Sequence, residues 1–238
     1  MLDILDIHTH TIASGHAYNT IYEMAQSASR KGLALLGISD HGPAMEGSAS
    51  KHYFRSGRCI PRELYGVKIL FGCELNIMDY DGGIDLDEVF ASPLDYGIAS
   101  LHDVCITPGS RAENTRAYLK AMENPKVHII GHPDDGTYAV DFDELVRHAK
   151  EHGVLIELNE ASVRLGSYRR NGRENAAVVL ERCAHYGVKV VVSSDAHVEC
   201  DILRHQYALE MLNAVHFPEE LVVNRSVDAL LTALAEKK

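Results

Sequence analysis

A chain of 238 residues, 46% apolar and 24% charged, has the balance of one soluble α/β domain with a sizeable core. Its 34 acidic against 23 basic residues give a formal net charge of -11 without any Lys/Arg run, which argues against a nucleic acid or a membrane as partner. No apolar stretch approaches the roughly 20 residues of a membrane span. Met1 leads into the first strand without a signal-peptide pattern, and Cys59, Cys73, Cys105, Cys183 and Cys200 form no CxxC pair. Reduced thiols in a cytoplasmic protein are the expectation.

In chain order, Leu2 to Ile7 reads as a short strand that runs into Asp6-Ile7-His8-Thr9-His10-Thr11 and then His16. Thr20-Ile21-Tyr22-Glu23 has the form of a capping box for a helix reaching about Lys31, with Gly32 as its stop. Leu33 to Ser39 is an apolar strand ending in Asp40-His41-Gly42, and residues 43–61 form a long polar loop. Val67 to Phe71 delivers Gly72-Cys73-Glu74, and Asp79 to Gly83 is the turn of a small hairpin. Tyr96 to Ser100 ends at His102, and Ser110 to Met122 is helical. Val127 to Ile130 delivers Gly131-His132-Pro133, followed by a helix from Phe142 to His152 stopped by Gly153. Val154 to Leu158 ends in Asn159-Glu160, and a helix from Glu174 to Tyr186 is closed by Gly187. Val188 to Val192 runs into Ser193-Ser194-Asp195-Ala196-His197, and helices follow at about Ile202 to Val215 and Val227 to Lys237.

Continuous apolar strands alternating with helices predict a parallel sheet covered on its outer face. Seven strands with polar residues at their C-terminal ends favour closure, because a barrel gathers all those ends at one mouth. The expectation is a distorted, TIM-like (βα)7 barrel forming a single domain over residues 1–238.

The strand exits carry His8, His10, His16, His41, Glu74, His102, His132, Asp195 and His197. Seven imidazoles and two carboxylates suit zinc, manganese or iron and are too rich in nitrogen for calcium. Nine ligands exceed the needs of one ion, and Glu74 is placed to bridge neighbouring ions about 3.5–4 Å apart.

His8-Thr9-His10-Thr11, Ser39-Asp40-His41, Gly72-Cys73-Glu74, Ser100-Leu101-His102, Gly131-His132-Pro133 and Ser194-Asp195-Ala196-His197 follow the ordered motifs of the PHP (polymerase and histidinol phosphatase) superfamily. The chain most resembles its stand-alone YcdX-type phosphatases, over residues 6 to 197. The resemblance implies a trinuclear zinc site, with His8, His10, Glu74 and Asp195 on one ion. Glu74, His102 and His132 would hold a second, and His16, His41 and His197 a third.

The expected activity is a metal-dependent phosphoesterase acting on small phosphate monoesters, with a metal-activated hydroxide attacking phosphorus in line. Glu74 and Asp195 are the catalytic carboxylates, and Arg169 and Arg170 are candidates for a phosphate-binding fork. Lys51, His52, Arg55 and Arg58 of the polar loop are candidates for a substrate rim or a solvated loop. Competing readings are histidinol phosphatase, a phosphodiesterase or nuclease, a metal-dependent amidohydrolase and a non-catalytic binding module. Low basicity opposes the nuclease and intact ligands oppose the binding module. Relatives of this type include trimers, so a homo-oligomer is compatible. Asp40 either orients a ligand histidine or caps the next segment. His148 and His152 have zinc-pair spacing but sit late in an outer helix and read as a solvated face. His128 and Cys73 read as packed, and His52, His185, His205 and His216 have no evident partner.

Overall fold

The computed structural model describes residues 3–237. Eight strands form one sheet: β1 (Leu5–Asp6), β2 (Leu35–Ile38), β3 (Glu63–Leu64), β4 (Val67–Asn76), β5 (Tyr96–Ser100), β6 (Ile129–Ile130), β7 (Leu155–Asn159) and β8 (Val190–Ser193). Seven of them run parallel in the order β1-β2-β4-β5-β6-β7-β8, while β3 pairs antiparallel with β4. The helices are α1 (Ile21–Arg30), α2 (Lys51–Arg55), α3 (Glu88–Ala91), α4 (Arg111–Met122), α5 (Phe142–His152), α6 (Glu160–Val163), α7 (Gly172–Tyr186), α8 (Gln206–Ala214) and α9 (Val227–Ala235). The result is a distorted (βα)7 barrel, as expected. No described helix is long and apolar enough to cross a membrane.

Local chemistry accounts for the helix ends. Thr20 with Glu23 and Ser110 with Glu113 form reciprocal capping boxes on α1 and α4. Gly153 and Gly187 end α5 and α7 in the left-handed conformation that a side chain disfavours. The loop 43–61 is more ordered than expected, because Phe54 is fully buried and anchors α2. The turn at Asp79 to Gly83 closes a minimal hairpin, with a single bridge between Ile77 and Ile84.

Alternate strand residues feed two apolar layers. Leu35, Leu70, Ile98, Ile129, Leu155 and Val191 fill the barrel interior with Tyr96, and Leu230 and Leu234 of α9 close its base. Leu36, Ile69, Ile130, Ile156, Val190 and Val192 pack outward against the helices. Tyr96 fits inside only because Gly37 and Gly72 lack side chains; a Cβ on either would fall within the Tyr96 side chain.

Among the described residues no ladder joins β1 to β8. Thr9 and Ala196 form an isolated parallel bridge beyond their ends, and His10 N–H donates to the Ala196 carbonyl at 2.8 Å. Below it, the fully buried Asn224 stands in for the missing ladder. Its Oδ1 accepts from Val192 N–H at 2.8 Å, and its Nδ2 donates to the carbonyls of Val192 (2.8 Å) and Leu5 (3.2 Å). Asp6 Oδ1 also accepts from Ser194 N–H at 3.1 Å, completing a seam stitched by side chains.

Candidate metal centre

The strand C-termini bring all nine expected ligand residues to one mouth, with Glu74 at its centre. Register explains this placement. Leu70, Gly72, Glu74 and Asn76 alternate into the barrel along the ten-residue β4, so the carboxylate enters just above the apolar filling. Glu74 Oε2 lies 3.3 Å from His8 Nε2, 3.6 Å from His10 Nε2 and 2.7 Å from His41 Nδ1. Its Oε1 lies 3.3 Å from His102 Nε2 and 2.9 Å from His132 Nε2. Asp195 Oδ1 lies 3.6 Å from His8 Nε2 and 3.2 Å from His10 Nε2. On the open side, His16 and His197 bring their Nε2 atoms to 3.1 Å of each other.

Groups of ligand atoms within common reach of an ion are His8–His10–Glu74, His41–Glu74–His102 and His10–His41–His197. The first two match the expected sets in part. The third holds His10 with the expected His41 and His197, while His16, at the exposed rim, has its Nε2 3.1 Å from that of His197.

Hydrogen bonds behind the imidazoles aim them. His10 Nδ1 is 3.0 Å from Ser14 Oγ, which donates to Asp40 Oδ1 at 2.7 Å. Asp40 also accepts from Thr11 N–H and Tyr53 O–H, so it orients a cluster histidine through Ser14. His102 Nδ1 meets Asn76 Oδ1 at 2.7 Å, and Asn76 is held by Asp85. His8 Nδ1 meets Glu157 Oε1 at 2.6 Å.

Glu157 was not anticipated, although a lone acid inside the apolar run of β7 was a legible signal. A charge in such a strand is tolerated only with buried partners. His205 likewise gains partners that spacing did not suggest, Asp3 and Asp6 at 2.7 and 3.5 Å. His148 and His152 remain half-buried on α5, their rings 4.3 Å apart and outside the mouth.

Electrostatics sort the cluster. Burial disfavours charge on both His8 and His10. Glu157, Glu74 and Asp195 nevertheless raise His8 well above the ordinary histidine range. His197 and His41 add to burial and hold His10 well below it. Burial opposes ionisation of Glu74, yet His8, His41 and His102 keep its carboxyl far below the usual carboxylate range.

A cleft of about 300 Å³ opens over the cluster, walled by Glu74, His102, His132, Asp195 and His197, with Asp103, Asp135, Tyr138, Tyr168 and Arg169 beyond. Arg169 is buried and donates to Asp195 Oδ2 (2.8 Å), Asn159 Oδ1 (2.9 Å) and Ser162 Oγ (3.1 Å). Arg170 is exposed and forms no part of the cleft wall, so the two arginines do not make a fork. Successive side chains leave this loop on different sides, and Asn171 takes a left-handed backbone conformation immediately after.

Comparison with known proteins places the chain in a family. The PHP domain model matches residues 6–161. A "Probable phosphatase" of Caldicellulosiruptor saccharolyticus is 45% identical over 230 residues, covering 97% of this chain and 95% of the relative. One from Clostridium novyi is 43% identical, covering 98% and 95%. Among solved structures, the histidinol phosphate phosphatase of Lactococcus lactis, determined with zinc, L-histidinol and phosphate, superposes with a TM-score of 0.62. It is 17% identical and covers 92% of this chain and 95% of its own. A chain of an archaeal ribonuclease P structure gives a TM-score of 0.61 at 17% identity, covering 97% of this chain and 90% of its own, a likeness of fold. By its family match and its near full-length relatives, this chain belongs to the PHP domain family.

Proposed function

We propose that this chain is a metal-dependent phosphatase acting on phosphate monoesters, with a centre of three zinc ions around Glu74. The observation that carries the reading is the crowding of buried polar atoms without hydrogen-bond partners in the cluster. His8 Nε2, His10 Nε2, His41 Nδ1 and Glu74 Oε2 are buried and lack a hydrogen-bond partner. Two Nε2 atoms at 3.1 Å in His16 and His197 can share only one proton. Orphaned polar atoms at such density cost several kcal/mol unless a cation receives them.

The donor set fits zinc, with manganese or iron as the alternatives its nitrogen and oxygen atoms also suit. Zinc legs of about 2.0–2.1 Å at tetrahedral angles put neighbouring ligand atoms about 3.3–3.4 Å apart. The separations of 3.2–3.6 Å that His8 and His10 make with Glu74 and Asp195 agree with that. His8, His10, Glu74 and Asp195 would hold one ion, Glu74, His102 and His132 a second, and His16, His41 and His197 a third. When bound, such ions supply Lewis acidity, a more acidic water and positive charge for the phosphoryl oxygens.

The chain's own residues do the rest. Glu74 and Asp195 are the catalytic carboxylates, because they keep the centre compact and set its charge. Arg169 lies against Asp195 on the cleft wall, where its guanidinium receives a phosphate oxygen. A cleft of about 300 Å³ suits a small phosphorylated substrate, and the acidic Asp103 and Asp135 on its wall repel a polyanionic strand. Cluster residues come from both ends of the chain, from His8 to His197, so residues 1–238 work as one domain.

The test is a panel of p-nitrophenyl phosphate, its bis-ester, histidinol phosphate and single-stranded DNA, each with and without a chelator. Monoester hydrolysis should predominate, vanish with chelator, and fall by more than about 10³-fold in Glu74→Ala, beyond the loss of a single stabilising donor. Activity that survives both treatments would overturn the reading. Dominant turnover of the bis-ester or DNA would overturn the monoester reading, and dominant turnover of histidinol phosphate would narrow it to that monoester.

A further inference from the structure

We propose that β7, which supplies no ligand, is the template of the metal centre, and that Glu157 is a positioning residue holding the ligands His8 and His132. The inference rests on the metal-centre reading above and goes beyond it.

Glu157 and Asn159 are two apart on β7, both buried, and both turn into the barrel on the same face as Leu155. Neither lines the cleft. Glu157 Oε1 accepts from His8 Nδ1 at 2.6 Å and from the Ser193 hydroxyl. Its Oε2 accepts from the backbone N–H of His132 at 2.7 Å and from Asn159 Nδ2 at 3.1 Å. Four donors fill the four lone-pair sites of the carboxylate. Asn159 Nδ2 in turn reaches Asp195 Oδ2 at 3.2 Å. Two side chains of one strand thus touch cluster residues delivered by β1, β6 and β8.

The backbone makes the need for such a template concrete. His132 has φ 28° and Asp195 has φ 57°, the left-handed region that non-glycine residues disfavour. Each such residue is strained and persists only where its surroundings hold it. Glu157 pins the first through its own N–H, and Asn159 reaches the side chain of the second. The bond to His8 Nδ1 keeps a proton on that nitrogen, so that Nε2, on the side of Glu74 and Asp195, is the one that would face a bound ion.

An amide cannot reproduce this. Glutamine in place of Glu157 can accept from His8 or from His132 N–H, and then turns an N–H toward the donors on its other side. The experiment measures zinc stoichiometry and affinity by chelator competition, together with the His8 ring ¹⁵N shifts, in wild type, Glu157→Gln, Glu157→Asp and Ser193→Ala. Expected are zinc binding weaker by about 10–100-fold in Glu157→Gln, loss of the Nδ1–H tautomer signal at His8, and partial recovery in Glu157→Asp. Ser193→Ala, which removes one donor from the same carboxylate but touches no ligand, should bind zinc within about twofold of wild type. Wild-type affinity in Glu157→Gln, or in Glu157→Asp should the amide variant not fold, overturns the template role alone. Equal weakening in Ser193→Ala marks general loosening and also overturns it. Wild-type protein that binds no ion overturns the metal centre itself.

Discussion

Two buried groups of histidine and carboxylate flank the first strand, and they are built on opposite principles. At the seam, His205 Nδ1 faces Asp3 at 2.7 Å and Nε2 faces Asp6 at 3.5 Å, while Asp6 also accepts from Ser194 and Leu203 N–H groups. One histidine faces two carboxylates there, so opposite charges compensate within the group. At the mouth, five histidines crowd one carboxylate and several nitrogens find no proton to share. His205 of the seam and His10 of the mouth, both fully buried, move in opposite directions, while His8 at the mouth moves up as His205 does. Burial lowers both, but Asp6 and Asp3 push His205 up to about 10, whereas His197 and His41 drive His10 further down. Residue type alone does not separate the two groups; the ratio of acids to histidines does.

This contrast can be broken by moving stability and metal content independently. The largest effect should come from His205→Ala, which leaves two carboxylates uncompensated and costs about 3–5 kcal/mol of stability by chemical denaturation, with zinc content per folded molecule unchanged. The same pair sets a pH dependence. Its folded value of about 10 lies above the ordinary 6.5, so its stabilisation is complete below about pH 6.5 and is lost as pH rises through about 10. Denaturation midpoints across that window should fall in wild type and flatten in His205→Ala. Next is Asn224→Ala, which strips partners from Val192 and Leu5 backbone groups and should cost about 2–4 kcal/mol, again without loss of zinc. The effects on activity come last in energy. Arg169→Met should lower kcat/KM by about 10–100-fold, and Arg170→Ala should stay within about twofold. A seam variant that shed zinc, or an Arg170 variant as damaged as the Arg169 one, would erase the distinction.

The mouth was legible in the sequence because its chemistry restricts both residue type and place. Histidines and acids at the ends of six of the seven apolar runs pointed to one shared pocket, and the order of those runs yields the sheet order directly. The seam was not legible. Asn224 and His205 partner residues some two hundred positions away, and neither residue type announces such a role. Glu157 lay between these cases: the acid was visible within Leu155-Ile156-Glu157-Leu158, yet its donors come from three other strands. Short elements escaped for a further reason. The β3–β4 hairpin depends on Tyr65 and Gly66 adopting positive φ over two residues, too brief a pattern for periodicity to reveal. The paired Arg169 and Arg170 looked equivalent in sequence, and only burial of the first tells them apart.

Asn224 has a consequence for how the molecule comes into being. The Leu5 carbonyl that it bonds was synthesised 219 residues earlier, so the cylinder cannot be sealed until almost the entire polypeptide has left the ribosome. Contacts that distant are slow to form, since a long loop must be closed before any of them is rewarded. The histidines beside β1 and the Asp195–His197 pair beyond β8 meet across that same join. On the proposed metal centre, capture of an ion would then depend on closure of this join, because the cluster is incomplete until β1 and β8 are brought together.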